Sequence, residues 1–106
     1  MKNSNNSYAS EKLGLAVRLM ATTPSGMKER LLIVYLDCFQ SLSEKYFPDD
    51  LKENWNVIFE SLTKEKPLQH EIIGSVQKTL NNLDEKTCVE IAEKITALST
   101  ELNRRE

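Results

Sequence analysis

Six consecutive apolar residues occupy positions 31–36, in a chain where no other apolar run is longer than three residues. The run extends from Leu31 to Leu36, and Cys38, Phe39 and Leu42 continue it at helical spacing. A helix that is apolar on nearly all sides must be covered by neighbours on most of its circumference. Because the sequence has no second strand candidate, the pattern favours a helix over a buried strand. We therefore predict that this second helix lies at the centre of an all-α domain.

The sequence before the apolar run predicts a polar tail and the starts of the first two helices. Residues 1–8 are rich in Asn and Ser and are predicted to form a disordered tail, whereas residues 9–106 are predicted to form a single helical domain. The first helix is predicted over residues 10–21 with Ser10 as its N-cap. Thr23 followed by Pro24 is a good start signal for the second helix, which runs to about Leu42, and Ser25 is an alternative N-cap.

Three further helices follow from apolar spacing and from Pro and Asp residues. The third begins at residues 48–50, and its apolar stripe is Leu51, Trp55, Ile58 and Leu62. The fourth begins at Pro67, and its stripe is Leu68, Ile72, Val76 and Leu80. The fifth covers residues 85–103 and follows Asp84, which is a strong N-cap. The predicted fold is a compact bundle of four long helices plus one shorter N-terminal helix.

The fifth helix carries the most regular apolar pattern in the chain. Its apolar residues alternate at spacings of three and four, which is a short heptad seam. Together with the apolar second helix, the seam offers more apolar surface than a small monomer needs. We therefore predict a non-catalytic module that binds a protein, either a second copy of itself as a homo-oligomer or an unknown partner. The candidate interaction surface consists of Ile91, Ile95, Leu98 and Leu102.

The charge distribution supports an alternative function. The chain has 14 basic and 16 acidic residues, so the whole domain does not have the charge of a polyanion-binding protein. The first thirty residues, however, carry five basic and two acidic residues. The first two helices with a short turn between them resemble a helix-turn-helix layout. The alternative is a small nucleic-acid-binding regulator that uses Lys12, Arg18, Lys28 and Arg30, although the second helix is too apolar to lie exposed in a groove of DNA.

Catalytic chemistry is not indicated. The chain has one histidine, His70, which is out of phase with the apolar stripe of its helix, and two cysteines fifty positions apart. This set does not supply the ligands of a zinc site, and no glycine-rich phosphate loop is present. Cys38 and Cys88 lie within apolar patterns, which indicates buried reduced thiols, while a disulfide between them stays open. We predict no enzyme activity, no cofactor and no metal.

Membrane insertion and export are not indicated either. No window approaches eighteen consecutive apolar residues, and the polar amino terminus lacks the apolar core of a signal peptide. We therefore predict a cytoplasmic protein with no membrane contact.

Three segments of the chain resemble segments of other proteins. Residues 23–31, the Leu42-Ser43-Glu44 segment and the Phe47–Leu51 segment resemble a pattern found in small uncharacterised bacterial helical proteins. The likeness covers about residues 23–65 and brings no activity, cofactor or functional residue with it. It implies a bacterial origin, and a fixed pair of helices joined by a Phe-Pro-Asp turn.

Overall fold

The fold is all-α, as predicted. The computed structural model describes residues 4–65 and 72–105, and within these ranges it contains five α-helices and no strand. The helices are α1 (Ser4–Thr22), α2 (Met27–Val34), α3 (Lys52–Leu62), α4 (Ile72–Asn82) and α5 (Glu85–Arg104). A π-helical turn, Tyr35–Phe39, extends α2, and two 3₁₀ turns, Glu44–Tyr46 and Asp49–Leu51, precede α3.

Helix α1 is longer than predicted, so the expectation of a shorter N-terminal helix is wrong. It has 19 residues and begins at Ser4, which places residues 4–8 of the predicted disordered tail in helix; residues 1–3 lie outside the described residues. Ser10 does not cap this helix, because its hydroxyl donates to Oδ1 of Asn103 on α5 at 2.6 Å. Tyr8 packs on Tyr46 with ring centroids 4.8 Å apart. Tertiary contacts thus hold α1 at Tyr8 and Ser10.

Helix α2 begins later than predicted. Its N-cap is Gly26, in extended conformation, and not Thr23 or Ser25. Gly26 has no side chain that could accept a hydrogen bond, and the carboxylate of Glu85 on α5 instead accepts from the backbone N–H of Met27 at 3.3 Å. A distant residue therefore supplies the capping acceptor that the local sequence was expected to supply.

The second helix is central, and its widened turn changes its register. Helix α2 packs against α1, α4 and α5, and Leu31 and Val34 are fully buried. The backbone N–H of Gln40 donates to the carbonyl of Tyr35 at 3.0 Å, which closes a π turn and inserts one extra residue. Tyr35 and Phe39 are buried, whereas Leu36 is 39% exposed. The apolar run is therefore covered on most sides but not on all.

Helix α3 contributes the aromatic centre of the core. All four residues of its predicted stripe are buried. The indole of Trp55 meets the ring of Phe39 edge-on at 5.1 Å and stacks on Phe47 at 5.2 Å. Phe47 and Pro48 are both extended, which leads the chain from α2 back along the core into α3. Trp55 is thus the packing anchor that its place on the stripe predicts.

The stripe of α4 is only partly correct. Val76 and Leu80 are buried, but Ile72 is 53% exposed. Ser75 and Thr79 are buried in addition, because Ser75 donates to the carbonyl of Thr63 and Thr79 accepts from the backbone N–H of Glu65. These two hydroxyls bind the chain that leaves α3, so polar residues occupy part of the inner face. The predicted start at Pro67, as well as Leu68 and His70, lies outside the described residues.

Helix α5 begins as predicted. The carboxylate of Asp84 accepts from the backbone N–H of Thr87 at 2.8 Å, and this bond lowers the pKa of Asp84. The helix packs against α1, α2 and α3. It runs antiparallel to α1, because Asn103 near its end lies beside Ser10 near the start of α1.

Candidate protein-interaction groove

The predicted interaction surface on α5 is not a surface. Ile91, Ile95, Leu98 and Leu102 are each at most 3% exposed. They belong to the core of the chain itself, because α1, α2 and α3 all pack on this side of α5. The heptad spacing marked a buried face correctly, but the assignment of that face to a partner is wrong.

A different groove lies between α1 and α5, with a volume of about 560 Å³. Val17, Met20 and Ala21 line one wall, and residues of α5 that lie outside the heptad seam line the other. The residues of α5 are Val89, Ala92, Glu93, Thr96 and Ala97. Met27, at the start of α2, also lines the groove. All but Glu93 and Thr96 are apolar, so the groove is an apolar channel on the outside of the bundle.

Most of the apolar lining is open to solvent, whereas Met20 and Ala92 are buried. Val89 is 39% exposed, Ala21 and Ala97 are exposed, and Val17 and Met27 are partly buried. Small side chains, among them Ala21 and Ala97, line both walls and leave the channel unfilled. Sequence reasoning missed this site because most of its residues are small. The available signal was a second, weaker apolar row on α5 beside the seam.

A polar groove of about 600 Å³ lies beside the apolar one. Glu11, Lys12, Leu15 and Arg18 of α1 line it, together with Asn103 of α5. Gly14 lines it as well, and a Cβ atom built on Gly14 would meet no other atom within 4 Å. The outer edge of α1 therefore has a glycine that no contact inside the described chain requires.

The structure divides the four basic residues of the nucleic-acid hypothesis between two places. Lys12 and Arg18 line the polar groove, and Nζ of Lys12 lies 5.6 Å from the ring centroid of Tyr8. Nζ of Lys28, by contrast, donates to the carbonyl of Asn81 at 3.4 Å. Arg30 donates to the carbonyls of Ser25 at 2.7 Å and Met20 at 2.9 Å. Lys28 and Arg30 thus bind backbone oxygens and fasten the connection between α1 and α2.

Charged groups at the end of α5 form a separate cluster. The guanidinium of Arg105 makes two hydrogen bonds to the carboxylate of Asp50, at 2.9 Å and 2.7 Å, and a third to Glu101 at 2.8 Å. These bonds lower the pKa values of Asp50 and Glu101. Since Asp50 lies in the 3₁₀ turn before α3, the cluster joins the end of α5 to the start of α3.

The two cysteines are free and buried, so they form no disulfide with each other. Burial raises the pKa of the Cys38 thiol to about 11, with a further contribution from the charge of Asp37. Burial also raises the pKa of Cys88. At neutral pH both are therefore protonated thiols, which are poor nucleophiles. Among the described residues, no group of three or more His, Cys, Asp or Glu side chains could hold a metal ion.

Comparison of the chain with protein-family models, with curated protein sequences and with solved structures finds no match. Within the part of the chain that the structure describes, no helix combines the length and the apolar character needed to cross a membrane.

Proposed function

We propose that this protein is a non-catalytic interaction module that binds an α-helix in the apolar groove between α1 and α5. The observation that carries the proposal is the channel itself, which is apolar, about 560 Å³ in volume and open on the outside of the bundle. An amphipathic helix that lays its apolar face into such a groove is a recurring mode of protein recognition.

The walls of the groove suit a helix with small apolar residues on one face. Ala21 and Ala97 lie on opposite walls and leave room for a helix to approach closely. Met20 and Met27 lie in the same channel, and methionine side chains adapt to the shape of what they contact. The flanking charges are of both signs, Arg18 beside the α1 wall and Glu93 on the α5 wall, so the bound helix is expected to carry both signs too.

The energetic requirement is moderate. Full burial of one side chain of the size of Val or Met contributes about 1.5–3 kcal/mol, whereas association costs several kcal/mol in lost freedom. Val17, Met27 and Val89 each keep part of their surface exposed, so several of them must be covered together. This favours an amphipathic helix, because its apolar side chains share one face and can cover these residues together.

A photo-crosslinking amino acid at Ala97 tests the proposal. Ala97 lies in the groove, and Gln77 on α4 is an exposed position away from it that serves as the matched control. We expect more crosslinked adducts at position 97 than at position 77, and we expect the crosslinked segment to be an amphipathic helix. A synthetic peptide with the sequence of that segment should bind the wild-type chain. Val89→Asp should weaken this binding at least tenfold, while Gln77→Asp should leave it unchanged.

Two results would overturn the proposal. One is the absence of polypeptide adducts at position 97 beyond those at position 77. The other is a captured peptide whose affinity for the chain is the same with Val89→Asp as with the wild type, because that peptide would bind elsewhere.

A further inference from the structure

We propose that the helix bound at the groove is α1 of a second copy of this chain, which packs along α5 of the first copy, so that the two copies face each other groove to groove about a two-fold axis running along the groove. This inference rests on the proposed function and names the partner of the same site. The supporting observations are the charged residues on the outer edges of α1 and α5, called here the two banks of the groove, and the positions of these residues along the helices.

Most of the flanking charges are unpaired among the residues that the structure describes. Within the described residues, the side chains of Glu11, Arg18 and Glu93 make no ion pair or hydrogen bond. Arg104 pairs with Glu101 on its own helix, and its side chain is still 69% exposed. The two banks therefore present four charges that another chain can reach.

The charges form two levels along the antiparallel helices. Ser10 and Asn103 mark one common level. At a rise of 1.5 Å per residue, Arg18 lies about 12 Å from this level and Glu93 about 15 Å from it, so the two differ by roughly 3 Å. Glu11 and Arg104 also lie within roughly 3 Å of each other along the axis. Each level thus has one acidic and one basic residue, on opposite banks.

A two-fold axis along the groove brings these opposite charges together. It places α1 of the second copy over α5 of the first, and each residue keeps its position along the helix axis, so residues of the same level face each other. Arg18 of each copy then faces Glu93 of the other, and Glu11 faces Arg104, which gives four opposite-charge pairs by symmetry. The apolar residues of both grooves meet between these pairs.

The other way to superpose the two grooves is unfavourable. A two-fold axis across the groove would place α1 over α1 and α5 over α5. Arg18 and Glu93 both lie near the middle of the groove along its length. Arg18 of one copy would therefore face Arg18 of the other, and Glu93 would face Glu93. Such juxtaposed like charges disfavour an interface. The charge pattern therefore selects the axis along the groove.

Gly14 fits the same arrangement. It lies on the outer edge of α1, where a Cβ atom would meet nothing inside the chain. In the proposed dimer this edge of α1 lies over α5 of the second copy, and a residue without a side chain lets the two helices approach.

Charge exchange tests the inference. The wild-type chain should sediment with twice its mass of 12.2 kDa at the upper end of a range from about 1 μM to 1 mM. We expect Arg18→Glu and Glu93→Arg each to weaken self-association at least tenfold, because each places like charges opposite one another. The double variant restores opposite charges and should return to within about threefold of the wild type. Glu53→Arg, at an exposed position on α3, is the matched control and should have no effect.

The outcomes separate this inference from the proposed function. A wild-type chain that is monomeric throughout the range overturns the inference, while the groove is still tested by crosslinking at position 97. A dimer that tolerates both single reversals, or that the double variant fails to restore, overturns the two-fold arrangement. Far-UV circular dichroism of each variant verifies that its helices are intact.

Discussion

The two faces of α5 differ in pattern and in use. The inner face has large apolar residues at regular heptad spacing, Ile91, Ile95, Leu98 and Leu102, and three helices of the same chain cover it. The outer face has one large apolar residue, Val89, among small and charged ones, and forms a wall of an open groove. The strongest apolar pattern thus identifies the face that folding itself consumes. The weaker pattern beside it is the one left for a partner.

The largest expected effect comes from a charge placed on the inner face. Leu98→Lys should lower the free energy of unfolding by at least about 3 kcal/mol, because it removes a buried side chain and places a charge in the core. Thr96→Lys, on the outer face of the same helix, should change it by no more than about 0.5 kcal/mol. Urea denaturation followed by circular dichroism measures both. Equal losses for the two variants would abolish the distinction between the faces.

An intermediate effect is expected on α1, which has the same division into two edges. Gly14→Ala should raise the free energy of unfolding of the monomer by about 0.5–1 kcal/mol, since alanine is the better helix former and its methyl group meets open space. Ala16→Gly, at a fully buried position, should lower the free energy of unfolding. Both are measured by urea denaturation at low protein concentration. A loss of stability in Gly14→Ala would show that this edge of α1 is packed after all.

The smallest expected effect concerns the exposed charges at the end of α5. Arg105 lowers the pKa values of Asp50 and Glu101 in the folded chain. Its ion pairs therefore stabilise the fold at pH values above the unfolded-state pKa of these carboxyl groups, which is about 4. This contribution is lost as the pH falls through the lower folded-state pKa values. Arg105→Ala should thus reduce stability slightly at pH 7 and less at about pH 2, as measured by urea denaturation at both. A reduction of equal size at both would mean that Arg105 stabilises by packing and not by charge.

Much of the fold could be predicted from the sequence. The all-α class, the central second helix, the Asp84 N-cap and the stripe of α3 all follow from local signals, and the structure confirms each of them. These features depend on residues that are close in sequence, where helical periodicity and capping chemistry act directly.

The failures share a cause. Ser10 was expected to cap α1 and instead binds Asn103 of α5; Glu85 supplies the capping acceptor for α2 from α5. Ile72 is exposed and Ser75 buried because hydroxyls of α4 bind the segment that leaves α3. In each case a residue far away in the chain competes with the local pattern for the same polar or apolar group, and no local signal reports that competition.

The sequence by itself determined that the chain is helical and which faces of α3 and α5 are apolar, because both depend on the periodicity of the side chains along a single helix. The tertiary structure decided what covers each face. That choice depends on how α1 and α5 pack, and on the small residues between them, which leave Val17, Met27 and Val89 only partly covered. The seam was therefore visible from the sequence, while the groove exists only where the two helices meet.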